Sequence, residues 1–224
     1  RWMSYYGITR NITYQFSEED FNVFSKYKNF LIIGSQSCGK SSLAKQLKSS
    51  FPHLELVEFD ELYWTANWKK NNYKFYRSVK TTLLEKIQSA HTAKGYEYRP
   101  RFKEGVIMDG NFNIIKEITW NLADVVIWLD YEFAEVFYRA ITRELYRAIS
   151  QQKVCNGNVV TFERLCNQWS ECVIYKVWKD HQVINEQRIP NDYIKVFPEK
   201  KVIRLQSPYQ CDLWLRRIMN NKET

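Results

Sequence analysis

Glycine, proline and cysteine are scarce in this sequence, and each scarcity excludes a class of protein. The 224 residues include 7 glycines and 5 prolines. There is no low-complexity tract and no repeat of about 20–50 residues, which excludes linker-rich and solenoid proteins. The 5 cysteines form no C-x-x-C pair and no Cys/His metal spacing, and their odd number argues against a complete disulfide framework. A reducing compartment fits this cysteine usage best.

Long apolar runs are also missing. No run approaches the roughly 18 residues that a membrane-spanning helix needs, and no signal peptide opens the chain. These absences predict a cytoplasmic protein without a membrane partner. Because the sequence begins with Arg1 rather than Met, this expectation covers only the residues at hand.

The sequence also lacks any concentrated run of charges of one sign. The 33 Lys and Arg residues exceed the 25 Asp and Glu residues, which gives a net charge of +8, but the basic residues are dispersed along the chain. An excess of this size favours anionic partners such as nucleotides or nucleic acid. A solvated basic surface explains it equally well.

The pattern that is present alternates short apolar runs with longer amphipathic stretches. The apolar runs predict strands at Phe30–Ile33, Glu55–Phe59, Val106–Met108, Val125–Leu129 and Val202–Leu205. The stretches between and after them predict helices near residues 39–50, 73–90, 112–122, 132–151, 160–185 and 208–220. Such alternation predicts an α/β fold of three layers, in which helices cover both faces of a five-stranded parallel sheet. We expect one domain over residues 29–220, preceded by an extension over residues 1–28 in which a helix starts at Ser17.

The segment Gly34–Ser41 matches the pattern G-x-x-x-x-G-K-[ST] and lies between a predicted strand and a predicted helix. In that context the pattern predicts a P-loop, in which backbone N–H groups and the positive end of the helix bind phosphate. Lys40 is expected to reach the β- and γ-phosphates of ATP, and the Ser41 hydroxyl to coordinate Mg²⁺. The predicted nucleotide-binding residues are Gly34, Ser35, Gln36, Ser37, Cys38, Gly39, Lys40, Ser41 and Ser42. Cys38 is interpreted as an inward-facing loop residue, with a reactive thiol as the alternative.

Acidic residues follow two of the predicted strands. Asp109 ends the run Val106–Met108, where a carboxylate can hold or orient the water shell of Mg²⁺, and a helix N-cap is the alternative role. Asp60 ends the second strand and can accept a proton or hydrogen bond from an acceptor hydroxyl, unless it is an ordinary exposed acid. Trp64 and Trp68 stand four residues apart and predict either an aromatic wall for the acceptor or simple packing.

Arg139, Arg143 and Arg147 recur every four residues on one predicted helix, so they form a single basic stripe. Phosphoryl transfer needs such cations over the developing negative charge. The alternative is an ordinary surface salt bridge, because Glu135 lies four residues before Arg139.

Together these segments resemble the adenylate-kinase-like proteins known as DNA topology modulation proteins. The matching residues are Gly34–Ser42, Phe59–Trp64 with Trp68, Ile107–Phe112, Ala123–Asp130, Arg139 with Arg143, Phe162–Arg164 and Trp178. The resemblance covers roughly residues 29–215. It implies a P-loop fold of the nucleoside-monophosphate-kinase type, with Asp109 and Gly110 at the Asp-Gly pair of those kinases. It also implies a lid over about residues 144–160.

Two functions follow from these predictions. The leading hypothesis is an ATP- and Mg²⁺-dependent phosphotransferase acting on a small acceptor, with catalytic roles for Lys40, Asp60, Arg139 and Arg143, and with Ser41 and Asp109 at the metal. The alternative is an ATP-binding regulatory or nucleic-acid-associated protein without turnover. A GTPase switch is disfavoured because no Asn-Lys-x-Asp motif follows a strand.

Overall fold

A computed structural model describes residues 16–88, 105–162 and 173–221 of the chain. Its strands are β1 (Asn29–Gly34), β2 (Glu55–Glu58), β3 (Trp64–Thr65), β4 (Lys69–Lys70), β5 (Val106–Asp109), β6 (Val125–Leu129), β7 (Lys153–Val154), β8 (Asn158–Val159) and β9 (Lys201–Leu205). Its α-helices are α1 (Glu18–Phe21), α2 (Val23–Lys26), α3 (Lys40–Ser50), α4 (Phe59–Tyr63), α5 (Asn72–Gln88), α6 (Lys116–Leu122), α7 (Phe133–Ser150), α8 (Val173–Asp180) and α9 (Pro208–Asn221). Short 3₁₀ turns span Ala66–Trp68 and Asn113–Ile115.

The central sheet has five strands in the order β2-β5-β1-β6-β9. Every neighbouring pair is parallel, which confirms the predicted sheet. The carboxyl ends of all five strands therefore lie along one edge. One boundary differs from the prediction: pairing of β2 with β5 ends at Glu58, and Phe59 begins α4 instead of ending the strand.

Both faces of the sheet are covered, which is why its central strands β5, β1 and β6 are almost entirely buried. Phe30 and Ile32 belong to the hydrophobic cluster that also contains Leu47 of α3 and Trp214 of α9. Their neighbours Leu31 and Ile33 belong to the opposite cluster, with residues of α5 and α6. This alternation along β1 confirms the predicted three-layer arrangement.

The described part of the N-terminal extension packs on the first of these clusters. A helix begins after Ser17 as predicted, and the Ser17 backbone N–H donates to Asp20 Oδ2 at 2.8 Å. Phe21 and Val23 are buried, and Trp214 Nε1 donates to the Asp20 carbonyl at 2.9 Å. Residues 16–28 therefore contribute core contacts as well as preceding the domain; residues 1–15 lie outside the described part.

In the helix predicted near residues 160–185, Phe162 and Val173–Asp180 are helical. The last part differs from the prediction, because α8 is followed directly by a wider, π-type helical segment, His181–Ile194, that contains Pro190. A π-type segment does not follow the 3.6-residue period on which the prediction rests. Residues 163–172, and the predicted loop Thr92–Glu104, lie outside the described residues.

Two small antiparallel hairpins, β3–β4 and β7–β8, were not predicted. Each strand has two residues, too few for an alternating pattern to be visible. Within residues 16–88, 105–162 and 173–221, no helix is both long enough and apolar enough to cross a lipid bilayer.

Candidate active site

The loop predicted to bind phosphate joins the end of β1 to the start of α3, as the sequence indicates. Gly34 ends the strand and Gly39 is the N-cap of the helix, with φ of 103°. A Cβ atom at Gly34 would lie 2.6 Å from the Leu129 carbonyl oxygen and 2.8 Å from Cys38 Sγ. Glycine is therefore required at position 34 for space and at position 39 for its left-handed backbone.

Polar atoms inside this loop are buried without a hydrogen-bond partner among the described residues. They include the hydroxyls of Ser35 and Ser37, which are 0% and 9% exposed. Ser37 also has a left-handed φ of 68°, which costs conformational energy in a residue other than glycine. Strain together with unpartnered polar groups at the start of a helix is the arrangement expected of an anion site.

Lys40 lies folded along the same loop. Its Nζ donates to the carbonyl oxygens of Gly34 at 3.1 Å and Ser35 at 2.8 Å. Cys38 faces inward, fully buried, and desolvation raises the pKa of its thiol, so the interpretation as an inward-facing residue holds. Gln36 and Ser41 are half-buried, whereas Ser42 is exposed on the first turn of α3.

Asp109 ends β5 beside this loop. Its carboxylate is buried, and Oδ1 has no partner among the described residues. The Ser41 side chain lies close enough to act on this carboxyl group. Desolvation raises its pKa to about 6, with Asp60 and Glu58 adding to the effect and Lys40 opposing it. The N-caps of the following turn and helix are Phe112 and Ile115, which removes the alternative role of Asp109 as an N-cap. The two predicted metal residues are thus adjacent.

Asp60 faces the same space from the first turn of α4. Its side chain is open to solvent, yet enough protein surrounds it that desolvation raises the pKa of the carboxyl group. Lys40 and Arg143 lower that pKa, so both cations lie near the carboxylate.

The three arginines of α7 lie in two places, one beside Gly39 and two nearer the end of the helix. Arg139 NH1 lies 3.6 Å from the Cβ position at Gly39, and its guanidinium is 5.7 Å from the Tyr131 ring centre. Arg139 Nε donates to Glu135, which confirms the predicted salt bridge. Arg143 and Arg147 lie further along the helix, and both act electrostatically on Asp60.

Arg143 and Arg147 share one buried carboxylate. Arg143 Nε donates to Glu144 Oε1 at 2.8 Å, and Arg147 NH1 donates to the same oxygen at 3.1 Å. Sequence reasoning included Arg147 in the stripe but not in the site. The signal for Glu144 was its position among three arginines, and only its burial reveals that it orients two of them.

Trp64 and Trp68 meet edge to face, with ring centres 5.6 Å apart. Trp68 Nε1 donates to the Val159 carbonyl in the β7–β8 hairpin at 2.9 Å. Sequence reasoning missed this hairpin and its side chains Asn156 and Asn158. A signal existed, because the dipeptide Asn156-Gly157 is a typical hairpin turn.

Comparison with known proteins finds no family model that matches this chain and no similar curated protein. Among solved structures, shikimate kinase from Acinetobacter baumannii in complex with shikimate is 18% identical, matches over 91% of this chain and 99% of its own, and has a TM-score of 0.46. Shikimate kinase from Bacteroides thetaiotaomicron is 13% identical over 88% of this chain and 99% of its own, with a TM-score of 0.45. Deoxyadenosine kinase from M. mycoides with bound dATP is 15% identical over 88% of this chain and 100% of its own, with a TM-score of 0.41.

Those resemblances are remote. The structure itself shows a five-stranded parallel sheet with a glycine-containing loop between β1 and α3, and the nucleoside-monophosphate-kinase type of the fold stays a prediction. Membership of the DNA topology modulation proteins stays a prediction, because no family model matches.

Proposed function

We propose that this chain is an ATP- and Mg²⁺-dependent phosphotransferase that acts on a small hydroxyl-bearing acceptor. The observation that carries the proposal is a set of buried oxygens near Lys40 that have no partner among the described residues: the hydroxyls of Ser35 and Ser37, and Asp109 Oδ1. Buried polar groups are normally hydrogen-bonded. Phosphate oxygens would accept from the two hydroxyls, and a divalent cation would satisfy the carboxylate.

The donor set fits both groups. Lys40 and the backbone N–H groups at the start of α3 would bind the phosphates, with Arg139 beside Gly39 adding a cation. Ser41 and Asp109 supply the hard oxygen atoms that Mg²⁺ prefers, in direct or water-mediated contact. When bound, the ion supplies positive charge that neutralises the phosphate oxygens.

The acceptor would lie between Asp60 and Arg143. Asp60 would accept a hydrogen bond from the acceptor hydroxyl and take its proton on a carboxylate oxygen as the hydroxyl is phosphorylated. Its raised pKa makes it a better proton acceptor than an ordinary aspartate. Arg143 would stabilise negative charge that develops on the transferred group.

Titration calorimetry with ATP, with and without Mg²⁺, tests the nucleotide site first. We expect Mg²⁺-dependent binding that falls at least about 100-fold in Lys40→Ala, because a charged donor in the loop is lost. Lys45→Ala is the matched control, since Lys45 lies on the same helix, is 63% exposed and pairs with Glu58. Absence of ATP binding by the unmodified protein would overturn the proposal.

ATP consumption with nucleosides, nucleotides and small hydroxyl metabolites then tests transfer. Consumption that depends on one acceptor class and is absent from Lys40→Ala supports the phosphotransferase. Tight binding without turnover on any acceptor would instead support the regulatory or nucleic-acid-associated alternative.

A further inference from the structure

The β7–β8 hairpin is joined to the segment after Asp60 by the side chain of Asn158. This asparagine is 4% exposed. Its Oδ1 accepts from the backbone N–H of Trp68 at 2.7 Å, and its Nδ2 donates to the carbonyls of Thr65 at 3.0 Å and Cys155 at 2.5 Å. The amide therefore donates two hydrogen bonds and accepts one, and its partners Trp68 and Thr65 lie about ninety positions away in the chain.

Three further hydrogen bonds, from two side chains, reinforce this connection. Asn156 Nδ2 donates to the carbonyls of Glu61 at 2.8 Å and Trp64 at 2.6 Å. Trp68 Nε1 donates to the Val159 carbonyl at 2.9 Å. We refer to Asn156, Asn158 and Trp68, with the backbone groups that they bind, as the asparagine clasp.

Backbone strain is concentrated on both sides of the clasp. Asn67 and Trp68 have φ of 59° and 56°, and across the contact Cys155 and Asn156 have φ of 24° and 58°. Left-handed backbone in residues other than glycine costs free energy and persists only where surrounding contacts impose it. Hydrogen bonds that cross between the hairpins impose it here, so neither hairpin is expected to keep this conformation alone.

The asparagine clasp lies next to Asp60, the residue proposed to bind the acceptor hydroxyl. Glu61, whose carbonyl the clasp binds, directly follows Asp60 in α4. Asp60 also acts electrostatically on Cys155 at the base of the hairpin turn, as does Arg147 from the end of α7. The hairpin, the tryptophan pair and Asp60 thus form one connected wall.

We propose that Asn158 is a positioning residue for the acceptor, because its hydrogen bonds join the β7–β8 hairpin to the segment that follows Asp60. Asn158 holds the turn that carries Trp68, so it fixes how far the tryptophan pair stands from Asp60. This inference rests on the proposed function for its acceptor, whereas the coupling of the two hairpins stands on the hydrogen bonds alone. The phosphate loop has no part in the clasp.

Hydrogen exchange on the full chain tests the coupling. Asn158→Asp keeps the shape and the acceptor for Trp68 N–H, but it places an oxygen against the carbonyls of Thr65 and Cys155. Loss of two donated bonds should speed exchange of residues 64–70 and 153–159 together by about tenfold or more, with β1 unchanged. Asn191→Ala is the control, because Asn191 is exposed and accepts from Lys195. Faster exchange in one hairpin only, or in neither, would overturn the coupling.

Asn156→Gly gives a second test, because Asn156 is exposed and glycine accepts its left-handed φ of 58° without strain. It should also open both hairpins, by a smaller factor than Asn158→Asp. Exchange confined to residues 153–159 in this variant would contradict the clasp.

Steady-state kinetics on the acceptor found by the screen tests the positioning role. We expect Asn158→Asp to raise the acceptor KM by about tenfold while the affinity for MgATP stays within about threefold. An equal loss of affinity for both substrates would show a general structural effect and overturn the role. If the unmodified protein binds no MgATP, the proposed function fails, and the exchange experiment still decides whether the clasp exists.

Discussion

The loop proposed to bind phosphate and the region proposed to bind the acceptor, here called the acceptor side, are built in opposite ways. Gly34–Ser41 is a continuous segment whose shape comes from its glycines and from the start of α3. The acceptor side combines α4, the end of α7 and two hairpins, joined by side chains about ninety residues apart in the chain. A site made by backbone geometry depends on a few residues in a row, whereas a site made by long-range hydrogen bonds depends on every segment it joins.

The two regions also differ in how their polar groups are satisfied. Ser35 and Ser37 in the loop have hydroxyls without partners among the described residues, so a ligand adds hydrogen bonds at little cost. In the two hairpins, by contrast, the buried amide of Asn158 donates two hydrogen bonds and accepts one. Its polar atoms hold two segments of the chain together, whereas the two serine hydroxyls have no such partner among the described residues.

Asp60→Asn should separate the two regions most strongly. The amide keeps the shape of the side chain but cannot take the hydroxyl proton, so transfer should fall about 100- to 1,000-fold. ATP affinity should stay within about threefold, since the phosphate loop is unchanged. Initial rates of ATP consumption with a saturating acceptor, together with calorimetry, measure both quantities.

Glu61→Gln is the matched control for that substitution. Glu61 is the exposed neighbour of Asp60, and only its backbone carbonyl is bound by Asn156. Transfer by Glu61→Gln should be close to that of the unmodified protein. Undiminished transfer by Asp60→Asn would remove Asp60 from the mechanism.

The thiol of Cys155 reports on the acceptor side without any substrate. Desolvation, with Asp60 and Glu61 adding to it and Arg147 opposing it, raises the pKa of Cys155 from 9.0 to about 11. Because the thiolate is the reactive form, alkylation by iodoacetamide at pH 8 should be about 100-fold slower than for a thiol of pKa 9. The rate should rise about tenfold per pH unit up to pH 11, measured by residue-resolved mass spectrometry.

Cys38 provides the contrast from the phosphate loop. It is fully buried, so its labelling should wait for local opening of the loop and should not follow the pH curve of Cys155. A plateau in Cys155 labelling near pH 9 would show that the hairpin stands away from Asp60 and Glu61.

The sequence predicts the phosphate loop better than it predicts the acceptor side, because only the loop is specified by a local pattern. The sheet and the phosphate loop could be predicted because periodicity and a glycine-spaced motif are local properties of the chain. Asp60 and Asp109 could be placed near the loop because carboxyl ends of parallel strands share one edge. The structure brings both beside Lys40.

The remainder depends on contacts that no local pattern encodes. The role of Asn158 follows from hydrogen bonds to Thr65 and Trp68, and two-residue strands leave no alternation to detect. The equal spacing of the arginines predicted one stripe, and it could not indicate that Arg139 lies beside Gly39 while Arg143 and Arg147 bind Glu144. The burial of Glu144 distinguishes the two ends of the arginine stripe on α7. Burial depends on the folded chain and cannot be predicted from the spacing of the arginines.

Glu144→Gln and Glu135→Gln together test whether α7 serves two regions or presents one stripe. Glu144 is buried and orients Arg143 and Arg147, whereas Glu135 is partly exposed and binds Arg139 beside Gly39. Loss of the buried charge should raise the acceptor KM about tenfold and lower the free energy of unfolding by about 1–3 kcal/mol. The MgATP affinity should stay within about twofold.

Glu135→Gln should change the affinity for MgATP and leave the acceptor KM unchanged, and its effect should be smaller than that of Glu144→Gln. Its ion pair is more than a third exposed on both sides, and such pairs contribute little, so we expect an effect of about threefold or less, confined to MgATP. Titration of each variant with ATP and acceptor separately, with urea unfolding alongside, measures all of these quantities. Equal effects of Glu144→Gln on both substrates would mean that the arginines act as a single stripe, because a carboxylate that orients only the acceptor-side pair has no route to the phosphate loop.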